Sequence, residues 1–192
     1  MEAEKFNLET VEEYLEAEKT RDPKHEYLAG TVHAMSGASR RHNVIGGRIY
    51  SVFVQRMGKG PCEAYLADVK VRVRTKAGVF FYYPDVMVGC DPTDRHEYYL
   101  DRPLILFEVT SASTESTDRR EKLLAYQGIA SLRHYVIVSQ TKRAVEWFRR
   151  AGDGWEKVRL TGPDDALDFP EISVSLRLEE IYEGIEFEEA GR

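Results

Sequence analysis

Two acidic residues stand where the surrounding sequence is built for burial. Glu108 lies inside Leu104-Ile-Leu-Phe-Glu-Val109, and Asp85 lies between Tyr83-Pro84 and Val86-Met-Val88. A carboxylate in such apolar company must be paired, protonated or bound to a cation, because an unpaired buried charge is strongly unfavourable. Two carboxylates on neighbouring strands form an oxygen-rich site for a hard divalent ion such as Mg²⁺ or Mn²⁺. Buried ion pairs with the chain's many arginines would satisfy each of them as well. Lys122 is the third chemically informative residue. In a helix beginning near Asp118, positions 118, 122, 126 and 129 share one face, which puts Lys122 on the line of Tyr126 and Ile129 that should lie against a sheet. An inward lysine near Glu108 is either its ion-pair partner or a charge that holds an attacking water and offsets developing negative charge on a phosphate. Glu108→Ala is expected to lose metal binding and activity yet leave the fold at least as stable, because removing a clustered carboxylate relieves repulsion.

These residues need elements to hold them. Asn7 can cap a helix over 8–18, and EYLAGTVHAM reads as two short strands around Gly30. From Arg40 to Met57, Ile45, Ile49, Val52 and Phe53 recur at helical spacing until Gly58 and Gly60 stop the run. His42 precedes Ile45 by one turn, so it points inward, as a satisfied core group or as an acid/base or phosphate contact. Residues 63–74 alternate apolar and charged side chains, predicting one long half-buried strand. Its polar face (Lys70, Arg72, Arg74, with Lys76 beyond) could line a phosphate-binding groove, as could Arg119 and Arg120, or simply face solvent. Asp68 on that face reads as a surface ion pair with Lys70 or Arg72, and the role of Glu26 stays open.

Lys76-Ala-Gly78 turns the chain into a hairpin, and Pro84 breaks the returning strand just before Asp85. LILFEV and HYVIVS are apolar enough to be buried on both faces, and the helix between them makes a βαβ unit with parallel strands. AVEWFRR and WEKVRL follow as a strand pair, and LRLEEIYEGI as a capping helix. Hairpins followed by a βαβ unit predict an α/β (α+β) fold whose mixed sheet is flanked by helices.

The 192 residues suit a single domain, 1–192, with residues 1–20 as an appended helix and 84–139 as the motif-bearing core. At 42% hydrophobic and 31% charged, the composition excludes disordered and low-complexity classes. A net charge of −6 argues against indiscriminate coating of nucleic acid or anionic membranes, and leaves room for a confined basic cleft because much of the acidic excess lies at the two chain ends. Cys62 and Cys90 sit in unlike settings without metal-ligand spacing, so neither a disulfide framework nor zinc is expected, and a reducing cytoplasm fits. The acidic N-terminus does not resemble a signal peptide, and no apolar run approaches a membrane span.

Taken as a set, Pro84-Asp85, Glu108-Val109-Thr110-Ser111, Thr114 with Asp118 and Lys122, and Tyr126 resemble the Uma-two family of endonucleases, within the PD-(D/E)XK nuclease superfamily. The similarity covers roughly residues 20–185 and is strongest from Pro84 to Ser139; Glu26-Tyr27-Leu28 with Gly30, and His42, fit it too. The resemblance implies a restriction-endonuclease-like core and Mg²⁺-dependent (or Mn²⁺-dependent) hydrolysis of DNA phosphodiesters. It implies Asp85, Glu108 and the main chain of Val109 as metal ligands, with Lys122 and His42 as further catalytic residues. One departure matters: the superfamily lysine two positions after the acid is replaced here by Thr110, and Lys122 from the next helix takes its place. DNA is the implied partner, and a homodimer would allow both strands of a duplex to be cut. The competing readings are a catalytically inactive or regulatory relative that binds DNA or protein through the same fold, and a hydrolase of smaller phosphoesters.

Overall fold

The computed structural model of the chain describes residues 8–110 and 118–187. Helix α1 (Val11–Ala17) starts from a capping box: Glu13 N–H donates to the Thr10 hydroxyl, and Thr10 N–H donates to the Glu13 carboxylate at 2.8 Å. Two otherwise orphaned backbone donors are satisfied there, which is why the helix begins at this point and is not capped at position 7, outside the described residues. Strands β1 (His25–Leu28) and β2 (Thr31–Ala34) form the expected hairpin, and Ser39 caps α2 (Arg40–Arg56).

The expected single strand over 63–74 is two strands in two sheets, β3 (Glu63–Leu66) and β4 (Lys70–Thr75). Between them Ala67 adopts a left-handed φ of 53°, and the chain changes sheet. Alternation by twos runs unbroken across that kink, so the sequence carries no mark of it. The returning strand divides the same way into β5 (Gly78–Tyr82) and β6 (Val86–Gly89), with Pro84 in the gap. The two crossings are stitched to each other, because Ala67 N–H donates to the Asp85 carbonyl at 3.0 Å. The short β7 (Tyr99–Leu100) leads to β8 (Pro103–Thr110).

After residue 117 a π-helical turn (Asp118–Lys122) runs into α3 (Leu123–Gln127), and β9 (His134–Ser139) lies parallel to β8 as predicted. The pair β10 (Val145–Ala151) and β11 (Gly154–Leu160) completes a six-stranded sheet of order β11-β10-β9-β8-β6-β3. A five-stranded sheet of order β2-β1-β5-β4-β7 packs beside it. Each sheet has one parallel pair among antiparallel ones, so the predicted mixed character holds in two sheets. Residues 166–177 form a hairpin of β12 (Ala166–Phe169) with β13 (Val174–Arg177), and of the stretch 176–185 read as a helix only the four-residue α4 (Leu178–Ile181) is helical.

The cysteines correct another expectation. Because β3 pairs antiparallel with β6, with Glu63 opposite Gly89, Cys62 and Cys90 meet as the next rung of the ladder and form a disulfide.

Strand β8 is buried on both faces. Ile105, Phe107 and Val109 join Ile45, Ile49 and Phe53 of α2 and Phe169 in one core, while Leu106 faces Tyr82, Tyr126, Ile129 and Tyr135 in a second. Each such side chain contributes about 1.5–3 kcal/mol of burial, which anchors the strand that carries Glu108. A third cluster (Tyr14, Tyr27, Phe81 and Tyr99) seats α1 on the small sheet.

One buried histidine ties these layers together. Trp147 Nε1–H donates to His134 Nδ1 at 3.1 Å, so the ring is neutral and its Nε2 proton faces Glu171 Oε2 at 3.0 Å. Burial pushes the His134 pKa below the usual imidazole value, with the Glu171 carboxylate opposing that shift. A group whose folded pKa is depressed contributes stability that is full above its unfolded pKa, about 6.5, and is lost as pH falls through the lower folded value. Thermal melts between pH 7 and 5 should therefore show a declining Tm that flattens in His134→Gln. Parallel declines in the two proteins would remove His134 as the cause.

Candidate active site

Asp85 is positioned by the crossing between the sheets. Pro84 cannot extend the ladder, so β5 ends, and the chain rejoins the six-stranded sheet one residue before Val86. Asp85 N–H then donates to Phe107 C=O at 3.0 Å, which sets Asp85 across from Glu108. Its carboxylate Oδ2 accepts the Val109 N–H at 2.6 Å and lies 3.2 Å from His42 Nε2. His42 is in the first turn of α2, and the burial of Ile45, Ile49 and Phe53 fixes the rotation that aims it at Asp85. The inward direction expected from the helical stripe is thus observed, and what it meets is an acid.

Glu108 is 4% exposed and lies on the opposite face of β8 from Phe107. Its Oε1 accepts hydrogen bonds from Lys122 Nζ at 3.2 Å and from the Tyr126 hydroxyl at 2.9 Å. Lys122, Tyr126 and Ile129 do share one buried face, although the turn carrying Lys122 is π-helical and not α-helical. Burial, reinforced by the Glu108 carboxylate, holds the Tyr126 pKa well above the usual phenol value, so Tyr126 acts as a neutral donor. Lys122 also reaches Glu26 Oε1 at 3.1 Å and lies 5.6 Å from the centre of the Tyr82 ring. Its ammonium therefore bridges two carboxylates in a site with little water, where its own position is strongly constrained.

Glu26 is the residue that sequence reasoning left open. It is held from the far side by Tyr83 N–H at 3.5 Å, and its only sequence signal is a charged residue on a short strand whose neighbour Tyr27 is core. Other candidates go elsewhere. Asp68 is exposed and pairs with Lys24, not with Lys70 or Arg72. The supposed basic face is dismantled by the break at Ala67: Lys70 turns inward to donate to the Tyr83 hydroxyl at 3.1 Å, and Arg72 is held by Asp101 at 2.6 Å. Ser111 and Thr114, and the side chains of Asp118 and Arg119, lie outside the described residues; Arg120 is exposed.

Among the described residues no three His, Cys, Asp or Glu side chains gather into a metal cage. Asp85 and Glu108 bring two hard carboxylates to opposed positions on adjacent strands. That donor set fits Mg²⁺, which usually takes one or two carboxylates and fills its remaining positions with water and phosphate oxygens. Lys122 balances part of the acidic charge of Glu108 and Glu26.

A mixed sheet with an acid at a strand break, a second acid inside the neighbouring strand and a lysine returned from the crossover helix defines a restriction-endonuclease-like fold. The comparisons agree. A putative nuclease from Anabaena variabilis, of the DUF820 group, superposes with a TM-score of 0.73 over 91% of this chain and 97% of its own, at 17% identity, which speaks for the fold alone. Residues 11–179 match the Uma2 family, described as "Putative restriction endonuclease", and the chain belongs to it. Two Synechocystis sp. proteins are similar along nearly their whole length: slr1290, 33% identical over 92% of both chains, and sll1609, 27% identical over 83% of this chain and 92% of its own. Both are uncharacterized. Among the described residues no helix is long and apolar enough to cross a membrane.

Proposed function

We propose that this chain is a divalent-metal-dependent endonuclease that hydrolyses DNA phosphodiester bonds. The observation that carries the reading is the bridge at Lys122, which brings an ammonium to Glu108 from the following helix and so restores the charge that Thr110 lacks. Asp85 and Glu108, with the main-chain carbonyl of Val109, would hold Mg²⁺ or Mn²⁺. The ion supplies Lewis acidity at the phosphate and lowers the pKa of a bound water. The protein's own groups do the rest. Lys122 orients the water and offsets charge that builds on the phosphorus oxygens, Tyr126 and Glu26 fix Lys122 and Glu108 in place, and His42 holds Asp85 and reaches toward the phosphate. Water oxygen joins phosphorus as the P–O bond to the leaving sugar breaks; the proton lost by the attacking water passes to solvent, and the leaving sugar oxygen takes up a proton from solvent water. A homodimer that adds one such site per strand would serve a duplex substrate.

Titration calorimetry with Mg²⁺ and Mn²⁺, beside plasmid and oligonucleotide cleavage, tests the proposal. Wild type should bind the metal and nick or linearise plasmid, and Asp85→Asn should lose both. Metal binding unchanged in Asp85→Asn would remove the proposed ligand set. Metal binding with no cleavage of any DNA would leave a binding relative of the family.

A further inference from the structure

The sheet face that bears Glu108 does not end at Glu108. Cross-strand partners share a face, and the register runs Glu108 to Ile137, Ile137 to Glu146 and Glu146 to Arg159, with Thr110 beside Ser139 in the next row. Over this stretch a cavity of about 110 Å³ opens, lined by Thr110, Ile137, Ser139, Lys142, Glu146 and Arg159. It is far smaller than the roughly 300–1,000 Å³ of a pocket for a drug-sized ligand, and too small for a nucleoside. Its volume suits a few waters or one tetrahedral anion.

The charge points to the anion. Glu146 is matched by Lys157 Nζ at 3.1 Å, whereas Lys142 and Arg159 form no ion pair among the described residues. Two cations, with the Ser139 and Thr110 side chains beneath them, therefore face the same small space. Strands stand about 4.8 Å apart, so the cavity begins one to two strand spacings from Glu108, the reach between neighbouring phosphates of one nucleic-acid strand.

We infer that this cavity is a backbone-phosphate subsite, in which Lys142 and Arg159 take the phosphate next to the one held at Asp85 and Glu108. The inference rests on the nuclease reading above and assigns its substrate register. It gives the acidic chain a local cationic grip outside the metal cluster. Because neither side chain touches the proposed reacting atoms, their loss should act on binding and not on chemistry.

The test is the double variant Lys142→Ala/Arg159→Ala, with both changes at exposed positions. Fluorescence anisotropy with a short labelled duplex, without added metal and over a salt series, should show affinity falling about tenfold. The slope of log K against log salt should shrink by about one for each phosphate that is no longer neutralised. With Mg²⁺, kcat at saturating DNA should stay within about twofold of wild type while KM rises. Unchanged affinity and slope in the variant, or a fall in kcat at unchanged affinity, would overturn the subsite and leave the nuclease reading intact. Wild type that binds the duplex through these residues yet cuts nothing would overturn the nuclease reading and keep the subsite. Wild type with no measurable affinity for DNA would overturn both.

Discussion

Glu108→Gln is expected to abolish divalent-metal binding and lower cleavage by about 10³-fold or more, while the fold stays within about 1 kcal/mol of wild type. The amide keeps an oxygen to accept the Tyr126 hydroxyl and the Lys122 ammonium, now at 2.9 and 3.2 Å, and gives up only the charge. Glu108→Ala should lose the same activity and be less stable. It leaves the Tyr126 hydroxyl, at a fully buried tyrosine, without its acceptor, which costs about 1–3 kcal/mol by itself. This reverses the expectation from sequence that deleting an acid from the cluster relieves repulsion. That expectation assumed a cluster of carboxylates alone, and the structure instead sets Lys122 between Glu108 and Glu26, with the Tyr126 hydroxyl donating to Glu108. Calorimetry, cleavage rates and melts on the two variants separate the contributions. A Gln variant that still binds Mg²⁺ with wild-type affinity would remove Glu108 from the ligand set, and an Ala variant as stable as wild type would mean the hydrogen bonds to Tyr126 and Lys122 contribute little.

The parts of this site that the sequence reveals are those with a one-dimensional signature. A charge inside an apolar strand marks Glu108 and Asp85, and helical spacing marks the inward direction of His42, Lys122 and Tyr126. The parallel pairing of β8 with β9 follows from two apolar runs joined by a helix-forming segment. What stays hidden is whatever depends on a partner distant in the chain. Ala67 bends β3 away from β4 without disturbing the alternation, so a pattern that fits one strand fits two equally well. That one bend moves Lys70 and Arg72 out of the supposed basic groove and sets Cys62 against Cys90. Glu26 belongs to the other sheet and meets Lys122 only because the five-stranded sheet folds over the crossover turn. The β12–β13 hairpin is hidden for a local reason. Pro170 follows directly on β12, and the acidic run after Arg177 reads as helix, yet Leu167, Phe169, Val174 and Leu176 alternate as strand residues should.

Lys122→Ala is expected to separate chemistry from metal affinity more sharply than any other single change. In the native site Lys122 is 7% exposed, and its ammonium lies between Glu26 at 3.1 Å and Glu108 at 3.2 Å. Taking it away leaves two partly desolvated carboxylates without their shared cation, a loss on the order of 3–5 kcal/mol when one member of a buried pair is removed. The same change makes the site more acidic, so divalent-metal affinity should hold or tighten, and added Mg²⁺ should raise the Tm of the variant more than that of wild type. Turnover should nevertheless fall about 10²–10³-fold, because no other described cation reaches Glu108 to orient the water or meet charge on the phosphate. Lys122→Arg, which keeps the charge in a broader fork, should recover stability better than rate. The measurements are melts with and without Mg²⁺, calorimetric metal affinity, and single-turnover cleavage. Parallel loss of metal affinity and rate in Lys122→Ala would make the lysine a structural counter-ion for Glu108 and Glu26 alone, and no greater rescue of Tm by Mg²⁺ than in wild type would mean the ion and the ammonium do not balance the same charges.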